Sequence, residues 1–385
     1  MGFREHAARV RRILGIILAV LLLGGVAAVL VTGGDKDTGT GTATKTVRTV
    51  RGVIGSEKAE FFADPRVVKA LAAKGFTVTA ETSGSWDMED LPLDGYDFAF
   101  PSSKGPADEL RAKARAKSGT ADKVASTPLR PFYSPLVVVA HSAAARVLAG
   151  NGLAALGPRG TSGTLKMDAY LAAARADRTW QQLKGSAGHA ELSGTLFITS
   201  TDPVASNSGA LYLAAASYVA DGGRVAGDKA AVTRTAPLLR KLIQVQGAQQ
   251  TSSDAPFRDF ISGVGNPLVL VYESQVAAQL LAGRPMGDLV VLYPDTTVNS
   301  DHTLVPLSEN GRAFGELLST DPELRKLAVH HGFRPQGAAD EFTTATQGHS
   351  DYLNQTLNGV RQAPVPTSQV LHAMALRARD QGDTA

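Results

Sequence analysis

Residues 201–209 read Thr-Asp-Pro-Val-Ala-Ser-Asn-Ser-Gly. They lie between an apolar run, Thr195 to Ile198, that predicts a strand, and a small-residue run, Ala210 to Ala220, that predicts a helix. Ser206, Asn207 and Ser208 are residue types that cap a helix, because their side-chain oxygens accept its orphan N–H groups. The same helix mouth offers donors and the positive end of a dipole to a ligand. Taken alone, S-N-S-G serves for an N-cap as well as for a site. The deciding question is whether similar turns recur along the chain.

Upstream they do. Thr46 to Ile54 is rich in β-branched residues, predicts a buried strand and ends on Gly55-Ser56-Glu57-Lys58. Asp64-Pro65 reads as an N-cap with proline at the first helical position, Val67, Val68, Leu71 and Ala72 form an apolar stripe, and Gly75 closes the helix. Phe76 to Thr82 alternates as a second strand and ends on Ser83-Gly84-Ser85. Tyr96 to Phe100 is a third, ending on Pro101-Ser102-Ser103. Strand, helix, strand implies parallel pairing with right-handed crossovers, so these serine-bearing turns share one sheet edge. That edge is where open parallel sheets bind ligands.

Downstream, Pro106 to Lys117 is a charged, solvated helix, and Leu136 to Ala140 is an all-apolar strand followed by a helix to about Ala149. Asn151 to Gly163 is Gly-rich but lacks GxxxxGK[ST], so it reads as a loop and not a phosphate cradle. Helices are predicted at Met167–Ala176, Arg178–Leu183, Val232–Gln246 and Asp254–Ile261. Leu268 to Tyr272 is a strand running into Glu273-Ser274-Gln275 and a helix to Leu281. Leu289 to Tyr293 and His302 to Leu307 read as extended, Asn310–Leu318 and Pro322–His331 as helical. Residues 336–366 are irregular, and Ser368 to Arg379 predicts a last helix.

The 385 residues suffice for two domains of ordinary size. The net charge of +3 is carried by the N-terminus, where Arg4, Arg9, Arg11 and Arg12 face only Glu5; the rest balances near zero, which argues against nucleic acid as a partner. The chain has no Cys, which excludes disulfides, thiolate metal sites and a cysteine nucleophile. There is no G-x-S-x-G, S-x-x-K, H-E-x-x-H or EF-hand pattern, and the H-x-E at His189 and Glu191 lacks the cysteines a zinc deaminase needs. Neither an enzyme nor a metal or other cofactor is expected.

Ile13 to Val31 is an uncharged apolar stretch; as a helix it spans roughly 28 Å, about the hydrocarbon thickness of a bilayer. The competing reading is a cleaved signal peptide, whose apolar region is usually shorter, about 7 to 15 residues, although the small residues around Ala27 and Ala28 would allow cleavage. The flanking arginines keep residues 1–12 in the cytoplasm by the positive-inside rule. The expectation is a single-pass transmembrane helix at 13–31 in the cell membrane, a Gly/Thr-rich flexible tether at 32–45, and a body on the extracellular side.

The order of these elements resembles the extracellular solute-binding proteins of bacteria, in the branch that includes molybdate-type binders. The residues carrying the likeness are Gly55 to Lys58, Ser83 to Ser85, Tyr96 to Ser103, Ser134 to Val139, Asp202-Pro203 with Ser206 to Gly209, Leu270 to Glu273, Leu292 to Leu307 and Gly332 to Arg334. The resemblance implies an α/β, two-lobe type II periplasmic-binding-protein fold with mostly parallel sheets, preceded by the transmembrane helix. Lobe one would take residues 46–137 and 292–335, lobe two 138–291, and 336–385 would be a C-terminal extension. By the same resemblance Ser56, Ser83, Ser85, Ser208 and Tyr272 hold a small polar molecule or oxyanion, with Ser103, Ser206, Asn207, Glu57, Lys58 and Glu273 as further candidates. Its partner would be a membrane permease or another membrane protein. Glu57 departs from the pattern, since a carboxylate facing a desolvated anion is repulsive; either it points away or the ligand carries a positive or hydroxyl group. A protein-binding scaffold on the same fold is the competing expectation, and a cleft plugged by bulky side chains would favour it.

Overall fold

Three short parallel strands set up the first lobe. β1 (Arg48–Ile54) pairs with β2 (Phe76–Thr82) on one side and β3 (Phe98–Phe100) on the other, so Gly55, Ser83 and Pro101 leave the sheet at one edge. The crossover from β1 to β2 is α1 (Ala59–Ala63) and α2 (Pro65–Ala73). The Asp64 carboxylate caps α2 by accepting from the Arg66 N–H at 2.7 Å, and Gly75, at φ +82°, turns the chain into β2. A computed structural model describes residues 47–118 and 127–380; the basic N-terminus, the Ile13–Val31 span and the tether lie outside the described residues. Among the described residues no helix is long and apolar enough to cross a membrane.

After α3 (Lys104–Ser118) the chain enters β4 (Leu129–His141), which serves both lobes. Its first half pairs antiparallel with β10 (Asn299–Pro306) and β11 (Arg334–Pro335). Its second half pairs antiparallel with β7 (Leu268–Tyr272) and β8 (Leu289–Pro294). β10 returns through the same region and joins lobe one against β3. The expectation of mostly parallel sheets is thereby corrected: the sheet is mixed. β4 and β10 pass between the lobes in opposite directions, so each meets its main neighbours antiparallel. Parallel pairing persists within the lobes, as in β1–β2 and between β6 (Ser162–Leu165) and β8.

Each lobe buries its own apolar set. Phe98, Phe100, Phe132 and Phe314 stack in lobe one, and Gly52 makes room for them, since a Cβ there would lie 2.1 Å from the Phe98 ring. Lobe two packs α4 (Ser142–Gly150), α5 (Met167–Arg175), α6 (Asn207–Ala220) and α7 (Lys229–Gln244) around the β4 and β7 strands. Several local readings differ from expectation. Thr195–Ile198 is not a strand, because only Thr199 bridges β7, at Val269. Arg178–Leu183 reduces to one 3₁₀ turn at Trp180–Gln182. The Gly-rich loop at 151–163 holds a small antiparallel pair, β5 (Ala154–Leu156) with β6.

The C-terminal extension follows both lobes. α12 (Ala339–Ala345) sends Phe342 into the core under β7 and β8. β12 (Arg361–Gln362) pairs with β9 (Thr296–Thr297), and α13 (Ser368–Ala378) packs on α7 and α6.

Candidate functional site

The turns leaving β1, β2 and β3 meet β10 and the mouth of α6 in one buried polar cluster. At the end of β1, Gly55 is required by close packing: a Cβ there would sit 2.6 Å from both Glu57 Oε1 and Ser102 Oγ. The 3₁₀ turn at Ser56–Lys58 then swings Glu57 and Lys58 inward. Glu57 Oε1 accepts from the Lys58 ammonium and from the Ser102 hydroxyl at 2.6 Å. Lys58 Nζ also lies 3.4 Å from Ser102 Oγ, 3.1 Å from His302 Nδ1 and 4.8 Å from the centre of the Phe100 ring. Ser85 donates to Ser102 Oγ at 3.1 Å and accepts from the Ser102 N–H at 3.0 Å.

A second set of bonds joins the lobes. Ser103, from lobe one, donates its hydroxyl to Asn207 Oδ1 at the start of α6. Asn207 Nδ2 donates to Tyr272 Oη at 3.1 Å and to Ser300 Oγ at 3.4 Å. The Ser300 hydroxyl in turn donates to the Ser102 carbonyl, which ties this set to the charged one. The backbones also touch, the Trp86 N–H donating to the Ala205 carbonyl at 3.2 Å. A Cβ on Gly84 would stand 2.6 Å from that same oxygen.

The expected residues thus divide. Glu57, Lys58, Ser85, Ser103, Asn207 and Tyr272 lie in one network. Ser206 and Ser208 are next to it but bond inward: Ser208 Oγ is 2.7 Å from Thr201 Oγ1 and 3.2 Å from Ser206 Oγ, and no side chain caps α6. Ser83 turns to the Gly84 carbonyl, and the half-buried Ser56 joins none of the network's bonds. Glu273 faces elsewhere. It holds Arg334 in a two-pronged pair (2.6 and 2.9 Å) and accepts from Tyr293, an arrangement that pins β11 and the C-terminal extension to lobe two. Ser102, Ser300 and His302 complete the network without having been singled out. Ser102 had the same signal as its neighbour Ser103, whereas an isolated Ser300 or His302 on an extended segment carries none.

Burial sets the charge states. Lys58 and His302 are 0 % exposed, and the Glu57 side chain is 3 % exposed. Burial opposes ionisation of Glu57, but the Lys58 charge and the His302 hydrogen bond outweigh it and hold the carboxyl well below the usual carboxylate range. Burial pushes the Lys58 ammonium down, with Glu57 pulling against it. Burial and the Lys58 charge lower His302 to about 4, so its ring is neutral near pH 7. His302 Nε2 is buried with no hydrogen-bond partner among the described residues. The network is therefore a neutral pair inside a shell of hydroxyls and one amide, closed to solvent. Among the described residues no group of three or more His, Asp or Glu side chains is arranged to hold a metal ion.

An acidic seam flanks the network. Burial, then the charges of Asp90, Asp202 and Glu89, raise Asp87 to about 6, and Asp202 belongs to the opposite lobe. A raised carboxyl binds more protons folded than unfolded, so Asp87 costs stability as pH rises from about 4 to 6. His302, lowered from 6.5 to about 4, instead loses stability as pH falls through that window. The two slopes oppose each other. Asp87→Asn is expected to stabilise the protein by ~1–2 kcal/mol at pH 7.5, after allowing for partial solvent screening, and to have little effect below pH 4. It also unmasks the acid loss due to His302. Urea midpoints measured from pH 4 to 8 check this, and a wild-type and variant difference independent of pH would contradict it.

No protein-family model matches the chain, and no curated protein matches it in sequence. Solved structures do. The sulfate-binding protein SubI from Mycobacterium tuberculosis superposes with a TM-score of 0.54 at 18% identity, over 86% of this chain and 98% of that one. Iron-bound HitA from Pseudomonas aeruginosa gives 0.54 at 12% identity, over 87% and 99%. A periplasmic thiamin binding protein gives 0.52 at 12% identity, over 88% and 97%. At such identities the likeness establishes the fold alone.

Proposed function

We propose that this chain, which has the two-lobed type II periplasmic-binding fold, is a membrane-anchored extracellular solute-binding protein that closes its lobes around a small polar ligand. The observation that carries this reading is the meeting of Ser85, Ser102 and Ser103 from lobe one with Asn207 and Tyr272 from lobe two, across the crossing strand that bears Ser300. Fixed hydroxyls and an amide inside a desolvated gap are strong, orienting partners for a polar molecule. The anchor is the Ile13–Val31 span, and delivery is to a permease or a sensor in the same membrane. The protein acts by binding and not by catalysis.

The charge balance narrows the ligand class. With the Glu57 carboxylate inside the network, a bare dianion would meet a like charge in a dry site, which speaks against the molybdate-type branch. A neutral, hydroxyl-bearing or zwitterionic molecule suits it better, entering when the lobes part and the Glu57–Lys58 pair rearranges. Thermal-shift screening of the full-length protein against sugars, amino acids, polyamines, sulfate and molybdate tests this. A zwitterion or polyol is expected to raise the midpoint, and Asn207→Ala is expected to abolish the rise, because Asn207 bonds to both lobes. A rise with molybdate or sulfate that survives Asn207→Ala would overturn the assignment.

The sealed state of the network favours one second reading, the scaffold. Its cleft is already filled by Glu57 and Lys58, and a protein that never opens has no need of a ligand. A full panel without any shift, together with unaltered cellular function in cleft variants, would favour that reading.

A further inference from the structure

The C-terminal helix α13 is long enough to reach both lobes, and its contacts divide between them. On lobe two, Leu371, Met374, Ala375 and Ala378 are buried in the main apolar cluster. Arg379 donates to Asp202 at 2.9 Å, and Asp380 pairs with Arg240 of α7 at 2.8 Å. On lobe one, the Ser368 hydroxyl donates to Glu109 of α3. The half-buried His372 ring stands 6.3 Å from Trp86, the residue whose own N–H crosses to Ala205. A single rigid helix therefore bears on both sides of the seam that covers the buried network.

We propose that α13 is an intramolecular latch: it holds the lobes closed over the network without any ligand, and access to the site requires its release from lobe one. Two features make the closure depend on it. Asp87 Oδ2 and the lobe-two Ala205 carbonyl both crowd Gly84 at the seam, the Asp202 charge helps raise the Asp87 carboxyl there, and Arg379 pairs with Asp202 at 2.9 Å. Trp86 leaves its own lobe to join the lobe-two cluster in which α13 is a wall, so withdrawing the helix exposes the indole to water. In a binding protein closed by its ligand alone, neither contact would be needed. The latch rests on the two-lobe binding reading for its purpose, but its existence is measured without ligand.

Ser368→Ala combined with His372→Ala removes the Ser368–Glu109 bond and the His372–Trp86 ring contact and leaves the described lobe-two anchors of α13 in place. The readout is hydrogen exchange at the Trp86 amide, the backbone bond between the lobes, together with the radius of gyration from solution scattering of the full-length protein. Protection of the Trp86 amide is expected to fall about tenfold or more, with amides of α6 and α7 unchanged and the radius increased. Wild-type protection and an unchanged radius would overturn the latch and leave α13 as passive packing on lobe two. A chain ended after Pro366 is the second variant. If circular dichroism shows it folded, it should open in the same way, and a folded, closed truncation would overturn the proposal too. Because no ligand enters either measurement, a failed ligand screen and a failed latch give different results.

Discussion

Lys58→Met is expected to destabilise the folded protein by about 3–5 kcal/mol at pH 8, the usual cost of leaving one member of a buried ion pair without its partner. Methionine fills similar space and removes only the charge. The Glu57 carboxylate is then left in a dry site with Ser102 and His302 as its remaining partners. Desolvation, which Lys58 offsets in the wild type, would push the Glu57 carboxyl up. The same substitution frees His302 from the repulsion that helps hold it at about 4, so its imidazole can take a proton and pair with Glu57. A histidine that gains a partner has a raised folded-state pKa; its stabilisation is complete below the unfolded value and disappears as pH rises through the folded one. The variant should therefore recover part of its loss at pH 6, against the trend of the wild type. Urea unfolding at both pH values measures this. The double variant Glu57→Gln/Lys58→Met should regain most of the loss, since removing both charges removes the uncompensated one. A loss below about 1 kcal/mol without pH dependence would mean that the pair is solvated and the network not closed.

Trp86→Ala is the second large effect, at about 3–5 kcal/mol. The indole is 5 % exposed, although it starts from a lobe-one turn, because it inserts into the apolar cluster of lobe two. It also rests on Gly105, where a Cβ would lie 3.2 Å from the ring. Truncation removes apolar contact at the seam itself, so the lobes should part as well as weaken, which scattering would register as a larger radius. The indole Nε1 has no hydrogen-bond partner among the described residues. Trp86→Phe keeps the apolar body and removes an unsatisfied donor, so it should cost only about 1 kcal/mol or less. If Ala and Phe cost the same, the indole is not acting as a packed wedge.

Much of lobe one was legible because its signals are local. Phe76–Thr82 alternates with period two and occurs as a strand over those residues, and Asp64-Pro65 caps α2 as its sequence implies. In lobe two, the helix Asp254–Ile261 and the strand Leu268–Tyr272 match the bounds their sequence predicts. β4 was read as Leu136–Ala140 alone, because Pro131 and Pro135 interrupt the pattern. Pro135 pairs with Asn299 at the end of the β10 ladder, just before β4 meets β7 at Leu136, and the register shift between His302 and Leu304 falls beside Pro131, so both prolines sit where a missing N–H is tolerated. Thr195–Ile198 differs for the opposite reason: its composition suits a strand, but it gains only an isolated bridge from Thr195 to Thr179, with a second from the adjacent Thr199 to Val269, and no continuous ladder forms.

By itself the sequence determined the parallel start of the sheet, the serine-bearing turns at its edge and the apolar N-terminal span, since periodicity, turn chemistry and hydropathy depend on near neighbours. Only the tertiary structure decided that Glu57 points inward and is neutralised by the residue beside it, that Glu273 belongs to Arg334, and that His302 and Ser300 enter the network from a strand far along the chain. The direction of a side chain and the identity of a buried charge's partner follow from which distant segments fold against it. Electrostatics and packing at a few ångströms act through space, and chain order does not encode that distance.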